Sequence, residues 1–209
     1  MLRMPRPRLD QVRTAQILAA AAEVISERGY ANTRVVDIAK AAGTSPAAIL
    51  YWFDDKDVLL AQALELHSQE FHQRYTDHLD ELPTASERLR SLFEAMLHHY
   101  DWALWMELCV LAVRDNAAAA ERDRMDRRWR TALRTVVRDG QQAGEFTAGD
   151  PDDVVFVLAA LLDGMAPLLA MRAKGVTRER VERTWLAEAR RLLGTGFDTS
   201  PLRRPTRRR

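Results

Sequence analysis

Apolar residues recur along this chain at spacings of three and four between glycine and proline stops, and no stretch alternates apolar with polar residues over the length of a strand. That spacing lines one face of an α-helix, whereas a half-buried strand needs a period of two. The expected fold is therefore all-α, with about nine helices marked off by their start and stop signals. Leu18, Ala21, Ala22 and Ile25 define a first helix over residues 10–28, stopped by Gly29. Val35, Ile38, Ala39 and Ala42 repeat the spacing in a short second helix, with Thr33 as its N-cap and Gly43 at its end. Ser45 caps a third helix that ends near Trp52, and Pro46 takes its first position, where a missing N–H costs nothing.

Further along, Asp55 is placed to cap a long fourth helix over residues 56–79, with Leu60, Leu64 and Phe71 on one face. A fifth helix over residues 86–100 carries Leu89, Leu92, Phe93, Met96, Leu97 and Tyr100. Trp102, Trp105, Met106, Cys109 and Val113 mark the inner face of a sixth, and Met125, Trp129, Leu133, Val136 and Val137 that of a seventh. An eighth helix over residues 151–173 starts with Asp150 as cap, Pro151 at its first position, and Asp152 and Asp153 facing the positive end of the helix dipole. Thr177 caps the ninth, which buries Val181, Trp185, Ala189 and Leu192.

Composition narrows the function. With 47% hydrophobic residues the chain can bury a core, which excludes a disordered segment. Its 31 basic and 30 acidic side chains nearly cancel, so any attraction for nucleic acid has to be local. Residues 1–56 hold 8 basic and 6 acidic groups, residues 57–199 hold 18 and 24, and residues 200–209 hold 5 and none. Arg3, Arg6, Arg8 and Arg13 face only Asp10, and Pro5 and Pro7 space the first of them. Residues 1–9 read as a basic flexible arm, which either follows a phosphate backbone or is simply solvated, and residues 195–209 read as a basic flexible tail. A single cysteine, with no CxxC or HxxxH pattern, excludes an intramolecular disulfide and supports no metal site, so a reducing, cytoplasmic setting fits. No cofactor is expected. The apolar run over residues 154–171 is interrupted by Asp163 and Pro167, and reads as a helix buried in protein rather than in a membrane.

Two short helices joined by Ala42, Gly43 and Thr44 form a helix-turn-helix, the arrangement that presents a second helix to the major groove of DNA. Around it, the stretch GYANTRVVDIAKAAGTSPAAILYWFDDKDVLL closely resembles the N-terminal domain of the TetR (tetracycline-repressor) family, with Gly29, Tyr30, Thr33, Ile38, Ala39, Ala42, Gly43, Ser45, Ile49, Tyr51, Phe53 and Lys56 at matching positions. The segments DWALWMEL, RDGQQAGEF and ALLDGMA are similar to the C-terminal domain of the choline-responsive betaine repressors.

The resemblance implies a helix-turn-helix DNA-binding domain over residues 10–55. A ligand-binding domain over residues 56–194 would follow, forming a homodimer through its last two helices. It implies phosphate contacts from Tyr51 and Lys56, and sugar-phosphate contacts from Thr33 and Ser45. Trp52 would join this face or the core, and Phe53 the core. Leu50, Val36 and Arg34 depart from the residues usual at their positions, which leaves few groups to read bases. Ala47 and Ala48 can pack on thymine methyls but cannot hydrogen-bond a base, so specificity would rest on Arg34, Thr44, the arm and DNA shape.

A dimer of such heads would read a palindromic operator. Phe93, Met96, Trp102, Trp105, Met106, Cys109, Trp129, Asp163 and Met171 are the candidate lining of an effector site, and their mixture of aromatic and acidic groups suits a cationic small molecule. The expected function is a DNA-binding regulator, repressing until a small molecule releases it. The alternative is a regulator with no such ligand, governed by a protein partner or by abundance. No nucleophile–base or metal spacing supports an enzyme.

Overall fold

The structure is a computed structural model and describes residues 7–29, 31–53, 56–147 and 149–202. Among the described residues it is all-helical: α1 (Pro7–Arg28), α2 (Val35–Ala41), α3 (Pro46–Trp52), α4 (Lys56–Thr76), α5 (Ala85–His98), α6 (Trp102–Ala112), α7 (Asn116–Gln142), α8 (Pro151–Ala170) and α9 (Arg178–Leu193). A single 3-10 turn, Leu79–Glu81, follows α4. The chain packs as two compact units, Met1–Glu70 with Ala103–Met125, and Phe71–Trp102 with Asp126–Arg209.

The core of the first unit joins Ile17, Ala21 and Ile25 of α1 to Ile38, Ile49 and Phe53 of the short helices, and to Leu60 and Leu64 of α4. Leu104 and Leu108 of α6 complete it. The expected inner face of α6 is therefore misplaced: Leu104 and Leu108 are buried, Trp105, Met106 and Cys109 are half-buried, and Val113 is exposed beyond the helix end. An apolar segment such as WALWMELCVLA offers no polar face from which periodicity could choose the buried side.

In the second unit Phe93 of α5 stacks on Trp185 of α9, with ring centroids 4.0 Å apart and planes 3° from parallel. The Trp185 indole N–H donates to the Leu158 carbonyl of α8 at 3.0 Å, so this large ring is buried with its polar atom satisfied. Leu193 rather than Leu192 closes the α9 stripe. By length and composition α8 is apolar enough to cross a membrane. Its Val154, Leu158 and Leu162 are buried in protein while Phe156 and Leu168 are exposed, so the helix is buried along one stripe rather than on several sides.

Local start signals are realised where they are spelled out. Asp150 accepts from the Asp152 N–H at 2.8 Å and Thr177 from the Arg180 N–H at 3.2 Å. The expected cap Asp55 lies outside the described residues. Helix α4 stops at Thr76 rather than 79, and α5 starts earlier, at a capping box in which Thr84 accepts from the Glu87 N–H while Glu87 accepts from the Thr84 N–H. Helix α8 ends at Ala170 because Arg172 turns into the left-handed region at φ 54° and the Ala173 N–H closes back on the Leu168 carbonyl. The expected flexible tail is packed as far as Leu202. Phe197 is buried, and Arg90 of α5 donates to the carbonyls of Asp198 and Ser200 at 2.6 and 2.7 Å.

Candidate nucleic-acid interface and effector cavity

The turn between α2 and α3 depends on Gly43, whose φ of 62° is a left-handed conformation that glycine adopts without a Cβ clash. It lets the Thr44 N–H reach the Ala39 carbonyl at 2.9 Å. The Ser45 hydroxyl then accepts from the Ala48 N–H at 3.1 Å, and its own hydrogen stays available to an outside acceptor. Ile49 is fully buried and Phe53 nearly so, which fixes the rotation of α3 and turns Thr44, Ser45, Ala47, Leu50 and Tyr51 outward. Ala48 is half-buried.

Tyr51 is 80% exposed and meets Trp52 edge to face, their centroids 5.3 Å apart. Trp52 is itself exposed, so it belongs to this face and not to the core. Arg34 is exposed at the N-cap of α2, and its backbone N–H donates to Asp37, whose carboxylate also pairs with Arg28 at 3.0 Å. That pairing neutralises the acid beside the basic group.

Two expectations for this face change. Thr33 does not cap α2; it is buried, and its hydroxyl donates to the Gly29 carbonyl at 2.9 Å, so the side chain is spent holding the end of α1. Arg34 takes the cap position instead. Lys56 opens α4 as expected but is half-buried. Desolvation lowers its pKa, opposed by the charge of Glu107 on α6. Of the basic arm, residues 1–6 lie outside the described residues, and α1 already begins at Pro7.

Within the same unit, α1, α4, α6 and the start of α7 border a cavity of about 560 Å³ that is open to solvent on one side. Leu18, Val58, Leu66, Leu108 and Leu111 supply apolar wall, while Asp57, Glu65, Asp115, Glu121 and Arg124 supply charge. Glu121 is only 2% exposed; one carboxylate oxygen pairs with Arg124, and the other, Oε1, meets no donor among the described residues. Arg124 also reaches Glu65, Nε to Oε2, at 3.4 Å. Burial, then the neighbouring Glu65, pushes the Glu121 carboxyl up to about 7, against the pull of Arg124.

None of the nine residues expected to hold an effector lines this cavity. Trp105, Met106 and Cys109 belong to the first unit and the other six to the second. Phe93 is covered by Trp185, and Met96 is buried with its carbonyl accepting from the Trp102 indole at 2.8 Å. Trp129 sits beside Phe71, with centroids 6.1 Å apart, and Asp163 faces Arg130 at 3.8 Å. Met171, just past the end of α8, is 57% exposed. Phe93 thus serves as core and Met171 as surface. The signal for Glu121 was present in the sequence: Ala118, Glu121 and Met125 form a stripe at helical spacing, with a carboxylate on its buried side.

Residues 17–63 match the family of bacterial regulatory proteins of the tetR type. Residues 85–194, more than half of the chain, match the BetI-type transcriptional repressor C-terminal family. The HTH-type transcriptional regulator HbdR of Aromatoleum sp. (strain CIB) is 31% identical over 136 residues, 65% of this chain and 54% of that protein. BetI of Stenotrophomonas maltophilia (strain R551-3) is 39% identical over 61 residues, 29% of this chain and 31% of that protein. The chain thus spans about half or less of the length of these curated relatives. Among solved structures, a transcriptional regulator from Saccharomonospora viridis in complex with choline superposes with a TM-score of 0.76 at 28% identity, covering 84% of this chain and 94% of that one. One family model covers the helix-turn-helix and the other the helical region that follows it: the chain belongs to the TetR family of DNA-binding transcriptional regulators, with a BetI-type C-terminal domain, and not to a family of enzymes.

Proposed function

We propose that the protein is a ligand-responsive repressor that binds a palindromic operator as a homodimer and leaves it when a small molecule occupies the cavity of the first unit. The observation that carries this reading is the outward face of α3. Leu50, Tyr51 and Trp52 are exposed there in the last turn of the helix, while Ile49 and Phe53 are buried and anchor it. On this reading Tyr51, Ser45 and Lys56 engage phosphates, Arg34 and Thr44 reach toward base edges, and Ala47 and Ala48 pack against them. A helix of two turns reads too few bases for a specific site, so two copies are required.

The dimer is proposed to form through α8 and α9. Phe156 of α8 is 64% exposed, and Val157, Leu161 and Ala187 border an open groove between the two helices. A self-complementary surface of this kind suits a two-fold interface.

The pocket favours an effector over the ligand-free alternative, because it brings apolar walls and charged groups together in one concavity, as ligand sites do. It is bounded by α1 and by α4, the helix that starts at Lys56. An occupant that fits one spacing of these helices better than another biases the DNA-binding conformation. The test is operator affinity at fixed salt with and without candidate effectors, since phosphate contacts alone vary steeply with ionic strength. Release by a compound whose own binding is weakened reciprocally by operator DNA supports the proposal. Operator binding indifferent to every compound that binds the protein refutes it.

A further inference from the structure

The cavity of the first unit has a chemistry of its own, set by the buried carboxyl of Glu121. A buried carboxylate oxygen without a donor costs free energy, which a ligand that brings N–H donors and positive charge relieves. Glu65 and Glu121 both contact Arg124, so two carboxylates stand close together at this end of the cavity. Arg124 contacts both but is half exposed and leaves Oε1 of Glu121 unmet. We propose that the Glu65–Glu121 end of this cavity binds the protonated amine of an aliphatic polyamine.

Three features select this class of ligand. Among the described residues no aromatic ring lines the cavity, so a quaternary ammonium finds there neither a π face nor a use for the N–H donors it lacks. A primary ammonium brings three donors to carboxylates that only accept. The walls of Leu18, Val58, Leu66, Leu108 and Leu111 suit a methylene chain, and Asp57 offers a second anionic end. Asp57 precedes Glu65 by eight residues on α4, which places it about 12 Å away along the helix axis, within the span of an extended polyamine.

Among the described residues, the charged groups on the cavity wall are Asp57 and Glu65 of α4, Asp115 before α7, and Glu121 and Arg124 of α7; α1 and α6 contribute Leu18, Leu108 and Leu111, which carry no charge. Asp115 is already engaged, since the Ala118 N–H donates to it at 2.7 Å. Glu121 is therefore the group whose protonation governs the site. Because its carboxyl is pushed up to about 7, the cation must expel a proton below that pH and finds the pair ionised above it. Affinity for an ammonium should rise with pH across this window and level off beyond it.

Only the consequence at the operator rests on the reading of the cavity as an effector site; the binding itself can be tested without DNA. Calorimetric titration of the full chain with spermidine, and with choline as comparison, is made at pH 6 and pH 8 for the wild type, Glu121→Gln and Glu65→Gln. The expected result is wild-type binding about tenfold tighter at pH 8, no competition from choline, a loss of about tenfold or more at pH 8 in each variant, and loss of the pH dependence in Glu121→Gln, whereas Glu65→Gln keeps part of it because burial still raises Glu121. Circular dichroism confirms folding, and Glu65→Gln, at a half-buried position, carries the test should Glu121→Gln fail to fold. Undetectable spermidine binding, equal affinity in the wild type and a folded variant, pH-independent wild-type binding, or choline competing at the same site would each overturn the proposal. Spermidine that binds as expected without releasing operator leaves the site standing and removes its role as effector site. Release by another compound, with no spermidine binding, does the reverse.

Discussion

Helices α3 and α8 both turn apolar side chains to solvent, but in different company. On α3 the exposed Leu50, Tyr51 and Trp52 form the last turn of a short helix whose capped N-terminus carries an exposed serine hydroxyl, one turn away. On α8 the exposed Phe156 lies under Arg130, whose guanidinium carbon is 5.9 Å from the ring centroid, and next to a groove shared with α9. Amphipathic rings among hydrogen-bond donors suit a charged polymer whose edges carry phosphates and methyl groups. In the groove of α8 and α9, Val157, Leu161 and Ala187 stand among Arg183, Glu188 and Arg191, and a face that carries apolar side chains with charges of both signs suits a second copy of itself. Exposure alone does not tell a nucleic-acid face from a protein face; the polar groups around it do.

Substitutions that place one negative charge on each face separate the two roles most sharply. Tyr51→Asp is expected to lower operator affinity by about a hundredfold, about 2.7 kcal/mol, while the melting temperature and the dimer are unchanged. Phe156→Asp is expected to shift the protein to monomer in analytical ultracentrifugation, and to weaken operator binding only through that loss, so that a covalently linked dimer of this variant regains affinity. If instead Tyr51→Asp dissociates the dimer, or the linked Phe156→Asp protein does not recover, the assignment of the two faces is reversed or wrong.

A smaller effect tests the architecture beneath α3. Ser45→Ala removes the cap hydroxyl and is expected to cost about 1 kcal/mol of stability by chemical denaturation, with a further loss in operator affinity because a phosphate donor goes with it. Thr84→Ala, at the capping box of α5, is expected to cost a similar amount with no separate effect on DNA binding. Smaller again is the effect of Arg34→Ala, which should reduce the slope of log affinity against log salt by about one if the guanidinium meets a phosphate, and leave the slope unchanged while relaxing base preference if it reads a base.

The two units should also respond to acid in opposite directions. Glu121, raised to about 7, binds a proton in the folded state that the unfolded chain has already lost. Its contribution therefore diminishes as pH rises from about 4.5 to about 7. In the second unit His98 is pushed down to about 4 by burial, then by Arg178, whose guanidinium lies 2.7 Å from Nδ1, and by His99. There the unfolded chain holds the extra proton, so stability falls as pH drops from about 6.5 toward 4. Thermal melts should show Glu121→Gln more stable than wild type at pH 8 and little different at pH 4.5, with the acid-side loss retained. A Glu121→Gln advantage that is the same at both pH values would contradict the origin assigned to it.

What the sequence made legible was mostly local. Ser45, Asp150 and Thr177 cap the helices they precede, and Pro46 and Pro151 begin them, because a cap acts within three residues of itself. The capping box at Thr84 and Glu87 was equally visible and defines the start of α5 better than the apolar stripe does. The face of α6 was not legible, since a helix apolar on nearly every side takes its orientation from its neighbours. Thr33 shows the limit of a motif: a threonine at the matching position turns inward when the carbonyl of Gly29 is within reach. The effector residues expected from aromatic content mostly serve as packing, as Phe93 on Trp185 does. The cavity that does form depends on Glu65 and Glu121 meeting across two helices, a pairing of residues far apart in the chain that no local pattern encodes.

The central claim is that the outward face of α3, presented twice by a dimer, reads duplex DNA. Its most direct measurement is to select the genomic fragments that the full protein retains and to map the protected sugars on them by hydroxyl-radical footprinting. The account predicts two equivalent protected half-sites related by a two-fold axis, with centres about one helical turn, 34–36 Å, apart, and their loss with Tyr51→Asp. Retention of no particular duplex, or a single asymmetric footprint that Tyr51→Asp leaves intact, would contradict it.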